Sequence, residues 1–295
     1  MVRVGLQLHT VREALLFDPD WALAEVAGAG FRLVELSCHD ANEPWECLRM
    51  SSAFLSRACD RVGLRVTGGR VVNLDPVNVD DVVSFYVDLG AEYITVPIGY
   101  FPTPETLAER AAAYNRMGER CAQRGLGFYY AHHYHELQVV GGKVVLDALM
   151  EQTDPALVGL EFNSYWLMRG LVSPTSVFKR YEGRIGLVEQ QDFPLEEVER
   201  LDMWHFFRHH PIAEGIRWGV PLTGGEIENI HPVQCNLFTE IGEGIVKVQE
   251  VVDQANASGR VRYIMLRQDY TRMPSEFDSV RLSAENVRQV RGVEW

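Results

Sequence analysis

The sequence predicts an α/β fold, a (β/α)8 TIM barrel with a long irregular loop between its seventh and eighth strands. A short apolar run followed by a helical stretch recurs eight times along the chain, at a spacing of roughly 30 residues. That alternation implies a parallel sheet, and eight such units close a barrel. No GxGxxG follows the first strand, which weakens the alternative, an open doubly wound dinucleotide-binding sheet. The chain has 295 residues, and one barrel fills about 250 residues or more as a single domain. The reading is therefore one domain over 1–295, with 190–241 as an insertion or lid within it.

The elements are expected in this order. The first strand covers Val4 to Leu8 and closes on His9. Asp18-Pro19-Asp20 then starts a helix that runs to Ala29, since Pro suits the first helical turn. Gly30 leads into the second strand, Phe31 to Leu36, and a helix near Trp45 to Val62 stops at Gly63, a residue free to adopt the left-handed helix stop. The third strand is Leu64 to Thr67, running into Gly68-Gly69-Arg70. A helix near Asp80 to Leu89 precedes the fourth strand, Tyr93 to Pro97, and a helix near Pro104 to Arg124 precedes the fifth, Leu126 to Tyr130. A helix near Val145 to Gln152 leads to the sixth strand, Val158 to Phe162. A short one near Pro174 to Tyr181 leads to the seventh, Ile185 to Val188. After the irregular stretch come a helix over Val246 to Ala257, the eighth strand over Arg262 to Leu266, and a last helix near Ser283 to Val290.

Composition excludes several classes. Lys+Arg number 28 and Asp+Glu 41, a formal charge of −13, so neither nucleic acid nor an anionic membrane surface is the expected partner. No apolar run reaches the ~18 residues of a membrane span, and the N-terminus lacks a signal peptide's apolar stretch. Five cysteines, Cys38, Cys47, Cys59, Cys121 and Cys235, form no CxxC pair. That suits a reducing cytoplasm and gives no structural zinc signal. The expected partner is a small-molecule substrate, with a homo-oligomer or a partner subunit left open.

Barrel active sites sit at the carboxyl ends of the strands, so the residues just after each strand carry the chemistry. Those are His9, Glu35, Arg70, Pro97, His132 to Glu136, Asn163, Glu189 and Arg267. The densest group is His132-His133-Tyr134-His135-Glu136. If the fifth strand continued, alternation would set His133 and His135 on one side and His132 on the other, where imidazole can act as base or ligand. The alternative is a surface loop that happens to be His-rich. Asn163 can bond a hydroxyl or carbonyl, and Trp166 either stacks on a ring or merely packs. Glu189 and Arg267 end adjacent strands and should pair, as acid/base machinery or as a purely structural ion pair. Glu226 and His231 lie in the long loop, in Thr223-Gly224-Gly225-Glu226-Ile227-Glu228-Asn229-Ile230-His231-Pro232, and long loops are often lids or binding loops.

At these strand ends the chain resembles the sugar phosphate isomerase/epimerase family, the xylose-isomerase-like barrels. The resemblance begins at Gly5-Leu6-Gln7-Leu8-His9-Thr10-Val11-Arg12 and includes Gly30-Phe31-Arg32-Leu33-Val34-Glu35-Leu36. His133-Tyr134-His135-Glu136 looks like the family's His-x-x-Glu, and Tyr165-Trp166, Gly170 and Pro174 look like its next segment. Gly183-Arg184-Ile185 and Asp192-Phe193 frame the seventh strand; Glu240-Ile241-Gly242-Glu243-Gly244 and Gln268-Asp269 frame the eighth. The closing segments look most like the group containing C-glycoside-cleaving α subunits. The resemblance implies a divalent metal held by carboxylates and a histidine, polarising a hydroxy-ketone while a base moves a proton. Here Asn163 stands at the family's Asp, Glu189 at its His, Gln191 at its Lys and Arg267 at its Glu.

A fixed cation at Arg267 repels a divalent ion, so the expectation is an enzyme with no metal and no cofactor. His133 is the candidate base, helped by Glu136. Arg267 would stabilise an oxyanion, and Glu189 would be a second acid/base or only its partner. His9, Arg70, His135, Asn163, Trp166, Gln191, Glu226 and His231 are the candidate substrate contacts. The reaction is proton abstraction beside a carbonyl, leading to isomerisation, epimerisation, elimination or cyclisation of a small polyhydroxylated or specialised-metabolite substrate. Two alternatives stand. One is the family's metal-dependent reaction at a site rearranged around His133, His135, Glu136, Glu226 or Glu228. The other is a non-catalytic binding or partner subunit.

Overall fold

The structure is a computed structural model and describes residues 1–206 and 235–295. Among the described residues, eight parallel strands close on themselves. They are β1 (Val2–Gln7), β2 (Leu33–Asp40), β3 (Arg65–Val72), β4 (Tyr93–Val96), β5 (Gly127–Ala131), β6 (Gly159–Asn163), β7 (Ile185–Gln190) and β8 (Tyr263–Leu266). Each strand pairs with its sequence neighbour, and β8 returns to β1 with Val4 opposite Ile264. Closure leaves no barrel edge to protect. Val293–Glu294 adds a short flank beside β1. No helix among the described residues is long and apolar enough to cross a membrane.

The helices outside the strands follow their local signals. Pro19–Gly28 is capped by the Asp18 carboxylate on Trp21 N, and Pro104–Gln123 by the Thr103 hydroxyl on Thr106 N, each meeting an orphan donor of the first turn. Gly63, at φ 73°, stops Ser52–Val62, as its lack of a Cβ allows.

Two helix starts need correction. The helix expected from Trp45 begins only at Ser52; before it, Glu46–Cys47 and Met50–Ser51 form a small hairpin. Leu48 and Arg49 take positive φ in its turn, and Ser51 then caps Phe54 N. The last helix spans Glu276–Arg288, so it starts seven residues earlier than Ser283; Ser275 accepts from Asp278 N and sets that start.

The barrel interior is layered. Tyr93, Leu187, Tyr263 and Met265 fill its lower part, with Leu33 and Tyr129 against them. A Cβ at Gly159 or Gly186 would strike the Tyr129 ring, so those glycines make room for it. One step up each strand the inward residues become polar, because side chains on one face recur every second residue: Leu33 gives way to Glu35, Leu187 to Glu189 and Met265 to Arg267.

The ends of the expected lid are tied together. Asp192 and Thr239 form an antiparallel bridge. The buried Asp192 carboxylate accepts from Phe193 N at 2.8 Å, Gly242 N at 2.9 Å, Gly244 N at 3.1 Å and Val246 N at 2.9 Å.

Candidate active site at the barrel mouth

Arg70 organises the polar layer. Its Nε donates to Glu35 Oε1 at 3.1 Å, and its Nη2 donates to Glu161 Oε1 at 2.6 Å. The same Nη2 lies 2.8 Å from Glu189 Oε1. Tyr93 donates to the other Glu35 oxygen at 2.7 Å. All four charged side chains are buried. One guanidinium thus meets three carboxylates from β2, β6 and β7, and the three are not electrostatically equal. Burial and the neighbouring Glu161 push Glu35 up to about 8, which keeps it protonated at neutral pH. Burial also pushes Glu161 up. Burial would do the same to Glu189, but Arg70 and Arg267 hold it down to about 2.

Above that layer Arg267 bridges two carboxylates. Its Nη1 donates to Glu189 Oε1 at 3.0 Å and its Nε to Asp269 Oδ1 at 2.5 Å. Asn163 Nδ2 donates to Glu189 Oε2 at 2.6 Å and to Gln191 Oε1 at 2.9 Å, and Gln191 Nε2 donates to Asp269 Oδ2 at 3.2 Å. Asn163 Oδ1 accepts from Trp166 N, capping the helix that follows β6. Arg267 retains 14% side-chain exposure against 1% for Glu189, so the guanidinium faces the mouth and the carboxylate lies beneath it.

The histidines divide into distinct roles. β5 ends at Ala131 and His135–Leu137 forms a 3-10 turn, so the strand does not carry the alternation expected through the cluster. His132 Nε2 accepts from Asn163 N at 3.1 Å; that nitrogen is therefore unprotonated, and burial lowers the ring's basicity. His135 Nε2 lies 3.0 Å from Gly99 O and 3.1 Å from Glu136 Oε1. Burial works against its charge, but Glu136 outweighs it and raises its pKa. Glu136 accepts from Tyr130 Oη and from His133 N. Burial opposes its ionisation, and His135 chiefly holds it down to about 2.

His133 is the half-buried member of the cluster. Its ring stands between His135, centroids 5.8 Å apart, and Trp166, at 5.0 Å. Its Nδ1 has no partner among the described residues. Burial, with His135 and Arg267 adding to it, lowers its pKa to about 3. His9 is also neutral, lowered to about 3 by burial and then by Arg267, and its Nε2 stands 3.8 Å from Asp269 Oδ1. Two uncharged imidazoles therefore share the field of one guanidinium.

Arg70, His135, Asn163 and Gln191 were expected to meet substrate. The structure encloses all four, each committed to protein partners. Trp166 is 9% exposed and packs with His133 and Tyr134. Glu226 and His231 lie outside the described residues, as does Glu228. Glu35, named from the sequence only as a strand end, joins Glu161 and Asp269, which were not singled out as site residues, to complete the cluster. Asp269 carried a signal: it lies two residues beyond Arg267, so a strand continued past Leu266 would put both on one face.

The positions that the fold family would use for a metal do not fit one here. Glu189 Oε1 takes two guanidinium donors and its Oε2 takes Asn163. Among the described residues, no three His, Cys, Asp or Glu side chains are grouped to hold an ion. A divalent cation would displace Arg267 against like charge.

Comparison with known proteins agrees with the architecture. No family model matches the chain. An inosose dehydratase of Clostridium perfringens is 29% identical over 157 residues, 52% of this chain and 49% of that protein. The chain thus matches about half the length of this curated relative. A sugar phosphate isomerase/epimerase structure from Parabacteroides distasonis superposes with a TM-score of 0.75 at 17% identity, covering 99% of this chain and 96% of that one. The probable 3-DHS dehydratase of Bacillus anthracis gives 0.65 at 13% identity, covering 99% and 100%. The chain therefore has the fold of the xylose isomerase-like TIM barrels, with a weak, half-length likeness to inosose dehydratase.

Proposed function

We propose that this protein is an enzyme that removes a proton beside the carbonyl of a small polyhydroxylated compound, without a divalent metal. The observation that carries the reading is Arg267, a partly exposed guanidinium fixed between Glu189 and Asp269 at the mouth. A cation held by two carboxylates is preorganised to stabilise the negative oxygen that forms when the C–H bond breaks. Its remaining N–H groups are the donors a substrate carbonyl would meet.

His133 takes the proton. It is uncharged at neutral pH: burial, with His135 and Arg267, disfavours the imidazolium, and ionised Glu136 and Glu189 offset part of that cost when the proton arrives. Glu136 positions it through the backbone, by accepting His133 N, and so acts on the base indirectly. The C–H electron pair moves to the carbonyl oxygen as an enolate. Return of the proton to a neighbouring carbon gives isomerisation, and return to the other face gives epimerisation. Collapse of the enolate with departure of a β-hydroxyl, which leaves as water after taking the proton from His133, gives elimination. The dehydratase names of the inosose and 3-DHS relatives favour the last outcome. The substrate is then a cyclic or open-chain ketone carrying hydroxyls on both sides of the carbonyl. Residues 190–241 act as the lid in this reading, which is supported by the Asp192–Thr239 bridge at the two ends of that segment.

The test is proton–deuterium exchange in heavy water, read by NMR on a panel of ketoses, ketose phosphates and keto-cyclitols. Exchange beside the carbonyl on at least one member, lost on His133→Asn, is the expected result. No exchange on any member, or exchange unchanged in His133→Asn, defeats the reading.

A further inference from the structure

His9 and His133 stand on opposite sides of the mouth. His9 follows β1 and His133 follows β5. In a closed barrel whose strands pair in chain order, those two strands lie half-way round from one another. Arg267 follows β8, the neighbour of β1. One imidazole is therefore beside the guanidinium and the other is across from it.

The backbone holds His9 in place. Its N–H donates to Gln7 Oε1 at 2.9 Å, and its carbonyl accepts from Arg12 Nη1 at 2.9 Å. The same Nη1 donates to Asp269 O at 3.2 Å, and Gln268 N donates to Thr10 Oγ1 at 3.1 Å. These bonds rivet the turn after β1 to the loop after β8. They set the His9 ring beside the Asp269 carboxylate, with Nε2 3.8 Å from Oδ1. A negative oxygen on that side favours the tautomer that carries its proton on Nε2. The gap exceeds a hydrogen bond, so Asp269 orients that proton without taking it up. Asp269 Oδ1 accepts instead from Arg267 Nε at 2.5 Å. One carboxylate oxygen thus organises both groups, and both side chains reach the mouth, His9 at 23% exposure and Arg267 at 14%. Burial and Arg267 keep the imidazole uncharged, and a neutral imidazole N–H can serve as an electrophile toward a carbonyl oxygen.

We propose that His9 is a second catalytic residue, which carries protons between the two oxygens of an enediolate so that the carbonyl moves along an α-hydroxy ketone. His133 and Arg267 keep the roles proposed above, on which this depends. His133 takes the proton from the hydroxyl-bearing carbon, that electron pair becomes a C=C bond, and the carbonyl pair moves to its oxygen. His9 Nε2–H protonates this oxygen, and the bared nitrogen takes the proton of the neighbouring hydroxyl. A carbonyl re-forms there, and the C=C pair takes the proton back from His133 at the former carbonyl carbon. Both protons return to the substrate and no oxidant is needed. The oxygens lie on the side of His9 and Arg267, and the reacting carbons face His133.

The experiment uses the full chain and the same panel in heavy water, with D-xylulose, D-fructose 6-phosphate and an inosose among its members. NMR follows deuterium entry beside the carbonyl and the appearance of a carbonyl at the neighbouring carbon. The readout is the ratio of transposition to exchange, which a loss of folded protein does not move. The parent should transpose at least one member that it exchanges. His9→Asn should lower the ratio by about a hundredfold or more, the lower end of what a positioned proton-transfer group contributes. His9→Gln keeps an N–H donor but cannot relay a proton, so it should not restore the ratio. A ratio unchanged in His9→Asn, or restored in His9→Gln, overturns the proposal. A parent that exchanges without moving the carbonyl overturns it and leaves the reading above standing. A parent that exchanges no member defeats that reading, and this proposal with it.

Discussion

Glu189 Oε1 lies between two guanidiniums, 3.0 Å from Arg267 Nη1 and 2.8 Å from Arg70 Nη2. Arg70 is buried below it and Arg267 faces the mouth, so one carboxylate links the order of the barrel interior to the group proposed to meet substrate. Arg267→Met should lower exchange or turnover by about 10²- to 10³-fold, the usual cost of one preorganised oxyanion donor. Arg267→Lys should recover little, because one ammonium cannot span Glu189 and Asp269 as the planar fork does. Glu189 keeps Arg70 and Asn163 in either variant, so thermal midpoints should move far less than rates. Full activity in Arg267→Met sinks the electrophile role.

The same geometry bears on metals. Any ion at Glu189 must compete with two fixed positive charges within 3.0 Å of one oxygen. Protein dialysed against EDTA should therefore keep its exchange activity. Elemental analysis should find far less than one metal per chain, and added manganese or magnesium should leave the melting curve in place. A stoichiometric ion whose removal stops turnover contradicts this and favours a rearranged metal site.

Stability should peak near pH 6.5. His9 and His133 are held down to about 3 and His39 to about 4, each mainly by burial. Below 6.5 the unfolded chain binds these protons and the native state does not, so stability falls as pH drops. Below about 4.5 Glu136 and Glu189, both held near 2, add to that loss. Glu35 acts in the opposite sense. Its native value of about 8, set by burial and Glu161, lies above the unfolded one, so the native state binds the extra proton and stability declines from about pH 4.5 to 8. Above 6.5 that decline is no longer masked by the histidines, and His135, whose pKa is raised, adds to it. One proton corresponds to a slope of about 1.4 kcal/mol per pH unit. Glu35→Gln, which mimics the protonated acid, should flatten the limb between pH 6.5 and 8 in unfolding midpoints. An unchanged limb in that variant assigns the titration elsewhere.

The barrel was readable because its apolar strand cores and its glycine helix stops are local signals. The Glu189–Arg267 pair was readable for a related reason: two adjacent strands end in opposite charges. β3 shows where this fails. The sequence places its end at Thr67, yet pairing runs to Val72, because Gly68-Gly69-Arg70 lies in the polar layer and breaks the apolar pattern. The role of Arg70 was hidden for the same reason. Its partners come from β2, β6 and β7, and only the strand register brings them within reach. The cap at Ser275 and the tautomer of His132 likewise depend on contacts that spacing does not encode.

Asp192 tests whether the segment after β7 is held from its base. Its buried carboxylate takes four backbone N–H groups, one from the adjoining Phe193 and three from Gly242, Gly244 and Val246. Burial still raises its pKa, since desolvation outweighs those bonds. Hydrogen bonds to a charged group contribute about 1.5–3 kcal/mol each, and they are not additive within one cluster. Asp192→Asn replaces an acceptor oxygen with an NH2 that opposes the donors, so a loss of about 3–5 kcal/mol is expected. At roughly 2 °C per kcal/mol for a chain of this size, the thermal midpoint should fall by about 6–10 °C. The loss should reach the site too, because neighbouring Gln191 bonds both Asn163 and Asp269. The expected signature in differential scanning calorimetry and steady-state kinetics is a lower midpoint together with a raised KM. A variant as stable as the parent would mean that the Phe193 and Gly242–Val246 backbones are held by the surrounding packing instead.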